Sequence, residues 1–356
     1  MDKTELLLKE LTEAAGAPGY EAPVREVIRQ YLQPLGDLSQ DKIGSLICHK
    51  PGAALSPRVM LSAHMDEIAF MVRYISPEGF ILFHLLGGWF DQVLLAQRVV
   101  IKTRKGDVVG MIGVKPPHLL SAEEAGKVIH SKDMYIDIGA TSQAEVEEAG
   151  VRIGDPILPR ADFVPLASGK TYLAKAFDNR VGVAMMITGL QTLAGQAHPN
   201  SLYAAATVME EVGNRGAATS VNAIDPDVAI VLEGDLAGDV PGMAPDEYPT
   251  RLGGGPTIFF YDGMLIPNLK LRDLLVDTAS EIGVPLQISG ARPADNDGSY
   301  IHLHRTGVPT VVLGVPARHI HSHSSILHRQ DFDQAVQLLV AVLMRLDEKR
   351  VRDLTA

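Results

Sequence analysis

Apolar residues recur with a helical period over the first 35 positions. Leu7, Leu8, Leu11 and Ala15 mark one face of a first helix, Gly16-Ala17-Pro18-Gly19 stops it, and Val24, Val27, Ile28, Tyr31 and Leu35 mark a second. Arg58–Ala63 predicts a buried strand that delivers His64 to its end. From about Phe70 to about Asp162 the pattern changes to short β-like runs: Phe80–Leu86, Arg98–Thr103, Asp107–Val114 and Met134–Ile138. Turn signals such as Pro77-Glu78-Gly79 and Arg104-Lys105-Gly106-Asp107 divide them, and Ser142–Ala149 reads as a helix.

Strand and helix alternate again after Asp162. A helix follows Asp178-Asn179-Arg180, with Val183, Met186, Ile187 and Leu190 on one face. Strands are predicted at Ser201–Met209, Asp227–Leu232 and Pro309–Leu313, and helices at Asn268–Ile282 and Asp331–Leu346. This rhythm predicts an α/β fold with a mixed, mostly parallel sheet flanked by helices. The expected division is one domain from residues 1–69 and 163–356, interrupted by a small β-rich domain at 70–162.

Composition narrows the function. The 356 residues are 46% hydrophobic and 21% charged, ordinary for a chain with large cores. A net charge of −11 without a basic stripe argues against nucleic acid and anionic membrane as partners. The single cysteine, Cys48, rules out an internal disulfide and a cysteine-based zinc site, and it reads as a buried thiol. The charged, periodic start reads as a helix rather than a signal peptide, and no run approaches the roughly 20 apolar residues of a membrane span. A cytoplasmic protein is expected.

The candidate chemistry lies at the ends of the apolar runs: His64 and Asp66, Asp178, Glu210-Glu211, Glu233, and His321. An open α/β sheet gathers its active-site groups at strand ends. Imidazole and carboxylate donors suit zinc and cobalt, and this set is large enough for two divalent ions with one carboxylate left as a base. His64 and Asp66 project to one face if the run is extended, so Asp66 can orient the site from behind. Glu210 and Glu211 would point to opposite faces of an extended segment, one toward a metal and one toward the attacking water. Spacing leaves three choices open. Asp178 could simply cap a helix. Asp235 and Asp239 compete with Glu233. His319, His321 and His323, with His328 nearby, are more imidazoles than one site needs. Gly253-Gly254-Gly255-Pro256 lacks the lysine of a phosphate loop and reads as a tight turn.

Several segments, taken in order, carry a resemblance. They are Gly16-x-Pro18-Gly19-x-Glu21, Ala63-His64-Met65-Asp66-Glu67, Gly113-Val114-Lys115-Pro116-Pro117-His118 and Asp137-Ile138-Gly139-Ala140. Ala176-Phe177-Asp178-Asn179-Arg180, Glu210-Glu211-Val212-Gly213-x-Arg215-Gly216, Ala237–Gly242, Leu252-Gly253-x-Gly255-Pro256 and Arg318-x-Ile320-His321-Ser322 follow. The chain resembles, end to end, the family-42 metallopeptidases: glutamyl, deblocking and TET (tetrahedral) aminopeptidases. The resemblance implies a zinc-exopeptidase-like fold and a metal-dependent aminopeptidase acting on short peptides with a free N-terminus. It implies that Asp178 bridges two divalent ions, zinc or cobalt. His64 and Glu233 would complete one, and Glu211 and His321 the other. Glu210 would be the general base and Asp66 the carboxylate behind the ligands. The β-rich insert corresponds to the domain that relatives use to pair subunits, on the way to a tetrahedral dodecamer. Ala291–Ser299 departs from the family pattern, and Asp297 is left out of the site.

Two rival readings are weighed. An endoglucanase-like glycoside hydrolase also uses paired carboxylates, but it needs no metal and no histidines. A non-catalytic, oligomeric peptide-binding homologue would show a broken ligand set, whereas every expected position is filled. An acid-selective subsite would need a cation, for which Arg251 and Arg292 are the candidates.

Overall fold

A computed structural model describes residues 1–121, 123, 126–290 and 295–356. Helices α1 (Lys3–Glu13) and α2 (Ala22–Leu32) open the chain. A reciprocal capping box between Asp2 and Glu5 starts α1, and its stripe of Leu7, Leu8 and Leu11 is buried. The hairpin β1 (Asp37–Gln40) and β2 (Leu46–Lys50) leads to β3 (Arg58–His64). Burial pushes the Cys48 thiol on β2 up to about 11, so it stays an inert core group.

Six strands follow: β4 (Ala69–Ile75), β5 (Ile81–Leu86), β6 (Arg98–Thr103), β7 (Gly106–Gly113), β8 (Tyr135–Asp137) and β9 (Pro156–Pro159). The helix α3 (Gln143–Glu148) lies between the last two. The strands close into a barrel in the order β4-β5-β8-β7-β6-β9, filled by Phe70, Ile81, Val99, Ile101, Ile136 and Ile157. Closure removes the open edges that short strands would otherwise expose.

The remaining strands are β10 (Val164–Pro165), β11 (Thr171–Ala174), β12 (Ser201–Thr207), β13 (Val228–Leu236), β14 (Thr257–Tyr261), β15 (Gln287–Gly290), β16 (Thr310–Arg318) and β17 (Ser325–His328). They join β1, β2 and β3 in one sheet, along the path β1-β2-β12-β3-β13-β16-β17-β11-β10, with β14 on β16 and β15 on β14. The expectation of a mostly parallel sheet is corrected here. β12, β3, β13 and β16 run parallel at the centre and β15 runs parallel to β14, while the other flanking pairs are antiparallel. The long apolar runs belong to the centre, which is buried on both faces. The flanking strands are too short to carry a readable alternation.

Helices α4 (Phe177–Thr192), α5 (Arg215–Ile224), α6 (Leu269–Ile282), α7 (Gly298–Ile301), α8 (Arg329–Leu343) and α9 (Glu348–Asp353) complete the body. α1, α2, α4, α6 and α8 share the core on one face of the sheet, and α5 and α7 share that on the other. α4 is buried almost all round rather than along one stripe, because it lies between the sheet and the outer helices α1 and α8. Among the described residues no helix is long and apolar enough to cross a membrane.

Candidate metal centre

The C-terminal ends of the central parallel strands deliver the candidate side chains to one place. His64 is the last residue of β3 and pairs in register with Thr207, the last of β12. Just beyond, Met209 turns into the left-handed region at φ 55, and Glu210 and Glu211 follow in a turn. The two glutamates are therefore not on opposite faces of a strand, as alternation predicted. Both line one cavity of about 610 Å³ with His64, Asp178, Glu233 and His321.

Asp178 sits at the middle of the group. Its Oδ1 lies 3.2 Å from His64 Nε2 and its Oδ2 lies 3.2 Å from His321 Nε2. Glu233 Oε1 and Glu210 Oε2 stand 3.6 and 3.7 Å from His64 Nε2, and Glu211 Oε2 stands 3.9 Å from His321 Nε2. Three overlapping groups have ligand atoms within 4.8 Å of one another: His64–Glu210–Glu211, His64–Asp178–Glu233 and Asp178–Glu211–His321.

The choices that spacing left open now have geometric answers. Asp178 does not cap α4. Ala176 begins the helix in the left-handed region, Asp178 and Asn179 are non-helical, and Asn179 Oδ1 accepts the Gly182 N–H at 3.0 Å. Asn179 also donates to the Leu232 carbonyl, so it ties α4 to β13 while Asp178 faces the imidazoles. Glu233 lies within β13, which runs on to Leu236. Asp235 instead accepts from Tyr248 Oη at 2.7 Å, and Asp239 pairs with Arg318. The three histidines do not share a side, because the loop after β16 is not extended: His319 and His321 both have positive φ. His319 is exposed and His323 is buried against Trp89, which leaves His321 beside Asp178.

Asp66 works mainly through backbone. Its carboxylate accepts the N–H groups of Glu210 and Glu211 at 3.0 and 3.1 Å, while His64 Nδ1 is 3.2 Å from its carbonyl oxygen. Below it, Glu67 takes both Lys175 Nζ contacts (2.6 and 2.7 Å) and one from Arg180. Arg180 is fully buried and also donates to the Leu11 and Ala14 carbonyls. Asp297, left out of the site above, is buried behind the strand ends and accepts from Ser62 and Thr207.

The crowding perturbs the acids strongly. Burial pushes Glu211 up to about 8, and the negative charge of Asp178 adds to this. Burial likewise raises Glu233 to about 7, and it lifts Glu210 well above the carboxylate range with help from Glu211 and Glu233. Burial opposes charge on His64, yet Glu210 and Glu233 hold its pKa well above the usual value. His321, also opposed by burial, is held at about 10 by Asp178 and Glu211. Glu233 Oε2 is buried and has no hydrogen-bond partner among the described residues. Packed carboxylates whose counter-charges, among the described residues, are imidazoles form the donor set that a divalent ion would relieve.

Farther out the cavity is walled by Asp235, Leu236, Tyr248, Phe259, Asn296 and Ile320. Arg251 is exposed and does not line it; its N–H donates to Gln287. Arg292 lies outside the described residues, as do the neighbouring positions 291, 293 and 294.

The M42 glutamyl aminopeptidase model matches residues 44–338, and an AMPT model matches residues 2–28. The glutamyl aminopeptidase of Lactococcus lactis subsp. cremoris (strain MG1363) is 35% identical over 353 residues, 98% of each chain. The solved TET aminopeptidase from the marine sediment archaeon Thaumarchaeota archaeon SCGC AB-539-E09 is 43% identical, with a TM-score of 0.97 over 99% of both chains. The Pyrococcus horikoshii TET1 peptidase, which can assemble into a tetrahedron or a large octahedral shell, is 32% identical with a TM-score of 0.85, over 97% of this chain and 100% of its own. The chain belongs to the M42 glutamyl aminopeptidase family, a group of metal-dependent peptidases.

Proposed function

We propose that the protein removes the N-terminal residue from short peptides at a two-metal centre. The observation that carries this reading is Asp178, which presents one carboxylate oxygen to each of two imidazole Nε2 atoms. In this reading Asp178 would be shared by two divalent ions, with His64 and Glu233 available to hold one and Glu211 and His321 to hold the other. The donors are nitrogen and oxygen only, a set that suits zinc or cobalt. When bound, the ions supply Lewis acidity to the scissile carbonyl and to the attacking water.

The chain's own groups do the rest. Glu210 takes a proton from the attacking water and returns it to the leaving amine. The grip of Asp66 on its N–H fixes where that carboxylate stands, and positioning of this kind is a large part of a catalytic base's worth. The cavity walls of Leu236, Phe259 and Ile320 offer apolar surface to the substrate's first side chain. The chain is further read as a homo-oligomer of the tetrahedral kind. Residues 1–69 and 163–356 form the catalytic domain and 70–162 the domain that pairs subunits. The assembly of the TET1 relative and the separate apolar cores of barrel and body support this.

The test is release of the N-terminal residue from a panel of free and N-acetylated peptides, using metal-stripped protein and protein reloaded with zinc or cobalt. Cleavage restored by metal and confined to free N-termini is expected. Equal cleavage of the acetylated peptides, or turnover of cellulose insensitive to chelator, would contradict the reading.

A further inference from the structure

The loop that leaves barrel strand β5 lies against the side chains assigned to one metal. The Gly88 carbonyl oxygen is 2.7 Å from His321 Nδ1. A carbonyl can only accept, so this bond keeps a proton on Nδ1; the proton on Nε2, facing Asp178 and Glu211, is then the one that a metal would replace. A Cβ on Gly88 would stand 3.0 Å from His321 Nδ1, and one on Gly87 would stand 2.8 Å from Glu211 Oε2. Gly87 also has φ +89, a conformation that glycine adopts without strain. Two successive glycines thus bring barrel backbone into contact with two candidate ligands.

Trp89 anchors the loop. Its indole N–H donates to the Ala69 carbonyl at 3.0 Å, and its ring stacks on Phe70 with centroids 4.6 Å apart. It also meets the His323 ring at 5.2 Å. His323 is 5% exposed and neither ring nitrogen has a hydrogen-bond partner among the described residues, so its contribution there is ring packing. It lies two residues beyond His321 on the same loop, and Trp89 therefore locks that loop to the barrel.

We infer that the Gly88 carbonyl is a positioning group for His321, and that the barrel completes one half of the metal centre in addition to any part in pairing subunits. The inference rests on His321 and Glu211 being ligands. A neutral imidazole coordinates through its unprotonated nitrogen, and the partner of the other nitrogen sets both tautomer and ring orientation. His64 has its Nδ1 partner, the Asp66 carbonyl, inside the body, so its ion is independent of the barrel loop. Damage to the loop should weaken one ion and spare the other.

The experiment is a zinc titration of metal-stripped wild type, Gly88→Ala, Trp89→Leu and His321→Ala, read by calorimetry and by counting bound ions after dialysis. Val109→Ala, on an exposed barrel position, is the control. Wild type and Val109→Ala should bind two ions alike. Gly88→Ala and Trp89→Leu should hold one ion at wild-type affinity and the second about 10–100-fold more weakly, the usual effect of losing such a partner. A general loss of stability would not divide the ions in this way. Two wild-type affinities in both loop variants, with one ion lost in His321→Ala, would overturn the positioning role and leave the site reading intact. Two wild-type affinities in His321→Ala would overturn the ligand reading, and this inference with it.

Discussion

The carboxylate of Asp66, two residues past the end of β3, accepts the backbone N–H of Glu210, beyond the end of β12, at 3.0 Å. Its other oxygen takes the N–H of Glu211 at 3.1 Å. One acid therefore holds the turn that carries both glutamates. The turn needs holding, because Met209 before it is left-handed, a conformation that costs a residue with a side chain roughly 1–3 kcal/mol. Glu21 assists by accepting the Met209 N–H at 3.1 Å.

Asp66→Ala should therefore weaken fold and catalysis together. Leaving two partly buried N–H groups without partners is expected to cost about 1–3 kcal/mol, measured by denaturant unfolding of the metal-stripped protein. Turnover at saturating peptide and metal should also fall, because Glu210 is no longer held. Wild-type stability and turnover in this variant would show that the turn holds itself.

Glu210→Gln keeps the shape of the side chain and removes its proton-accepting role. Two bound ions and near-wild-type peptide affinity are expected, with kcat lower by about 10²–10⁴-fold. Loss of an ion on dialysis would move Glu210 from the base to the ligand set, a possibility its grouping with His64 and Glu211 makes concrete.

Asp178→Ala should release metal, since both ions share that side chain in this account. Ion counts after dialysis should drop below one per chain while the far-ultraviolet spectrum stays native. Full retention of two ions would defeat the bridging assignment.

Metal-stripped protein should lose stability as pH rises. Glu211 and Glu233 ionise at about 8 and about 7 in the folded protein, against an ordinary value of 4.5. Between about pH 4.5 and 8 the folded state thus holds protons that the unfolded chain has released, so stability falls as pH climbs through that window. His321, raised from 6.5 to about 10, acts in the same direction: its contribution is complete below 6.5 and lost as pH rises through 10. Bound metal replaces those protons, so the gap in Tm between zinc-loaded and stripped protein should widen from pH 5 to pH 8. A gap that narrows over this range would contradict the electrostatic account.

Much of the centre was legible from sequence because charge at the end of an apolar run is expensive to bury without a purpose. His64, Glu210, Glu211 and Glu233 stand out for that reason, and the structure places them together with Asp178 and His321. What spacing could not reveal was three-dimensional competition for roles. Asn179 takes the capping task that spacing offered to Asp178, Tyr248 and Arg318 occupy Asp235 and Asp239, and ring packing occupies His323. The opposite-face expectation for Glu210 and Glu211 failed because β12 stops at Thr207 and Met209 reverses the chain. Gly88 was illegible for a different reason. Its contribution is a backbone carbonyl, which every residue has, and the contact spans 233 positions of sequence.

The most direct test of the central claim is anomalous diffraction at the zinc edge from crystals of the zinc-loaded protein. The account predicts two peaks that share Asp178. One should lie within about 2.2 Å of donor atoms of His64 and Glu233, and the other at the same distance from Glu211 and His321, with Glu210 bonded to neither. A single peak, or two peaks with Glu210 in coordination and Glu211 free, would contradict it.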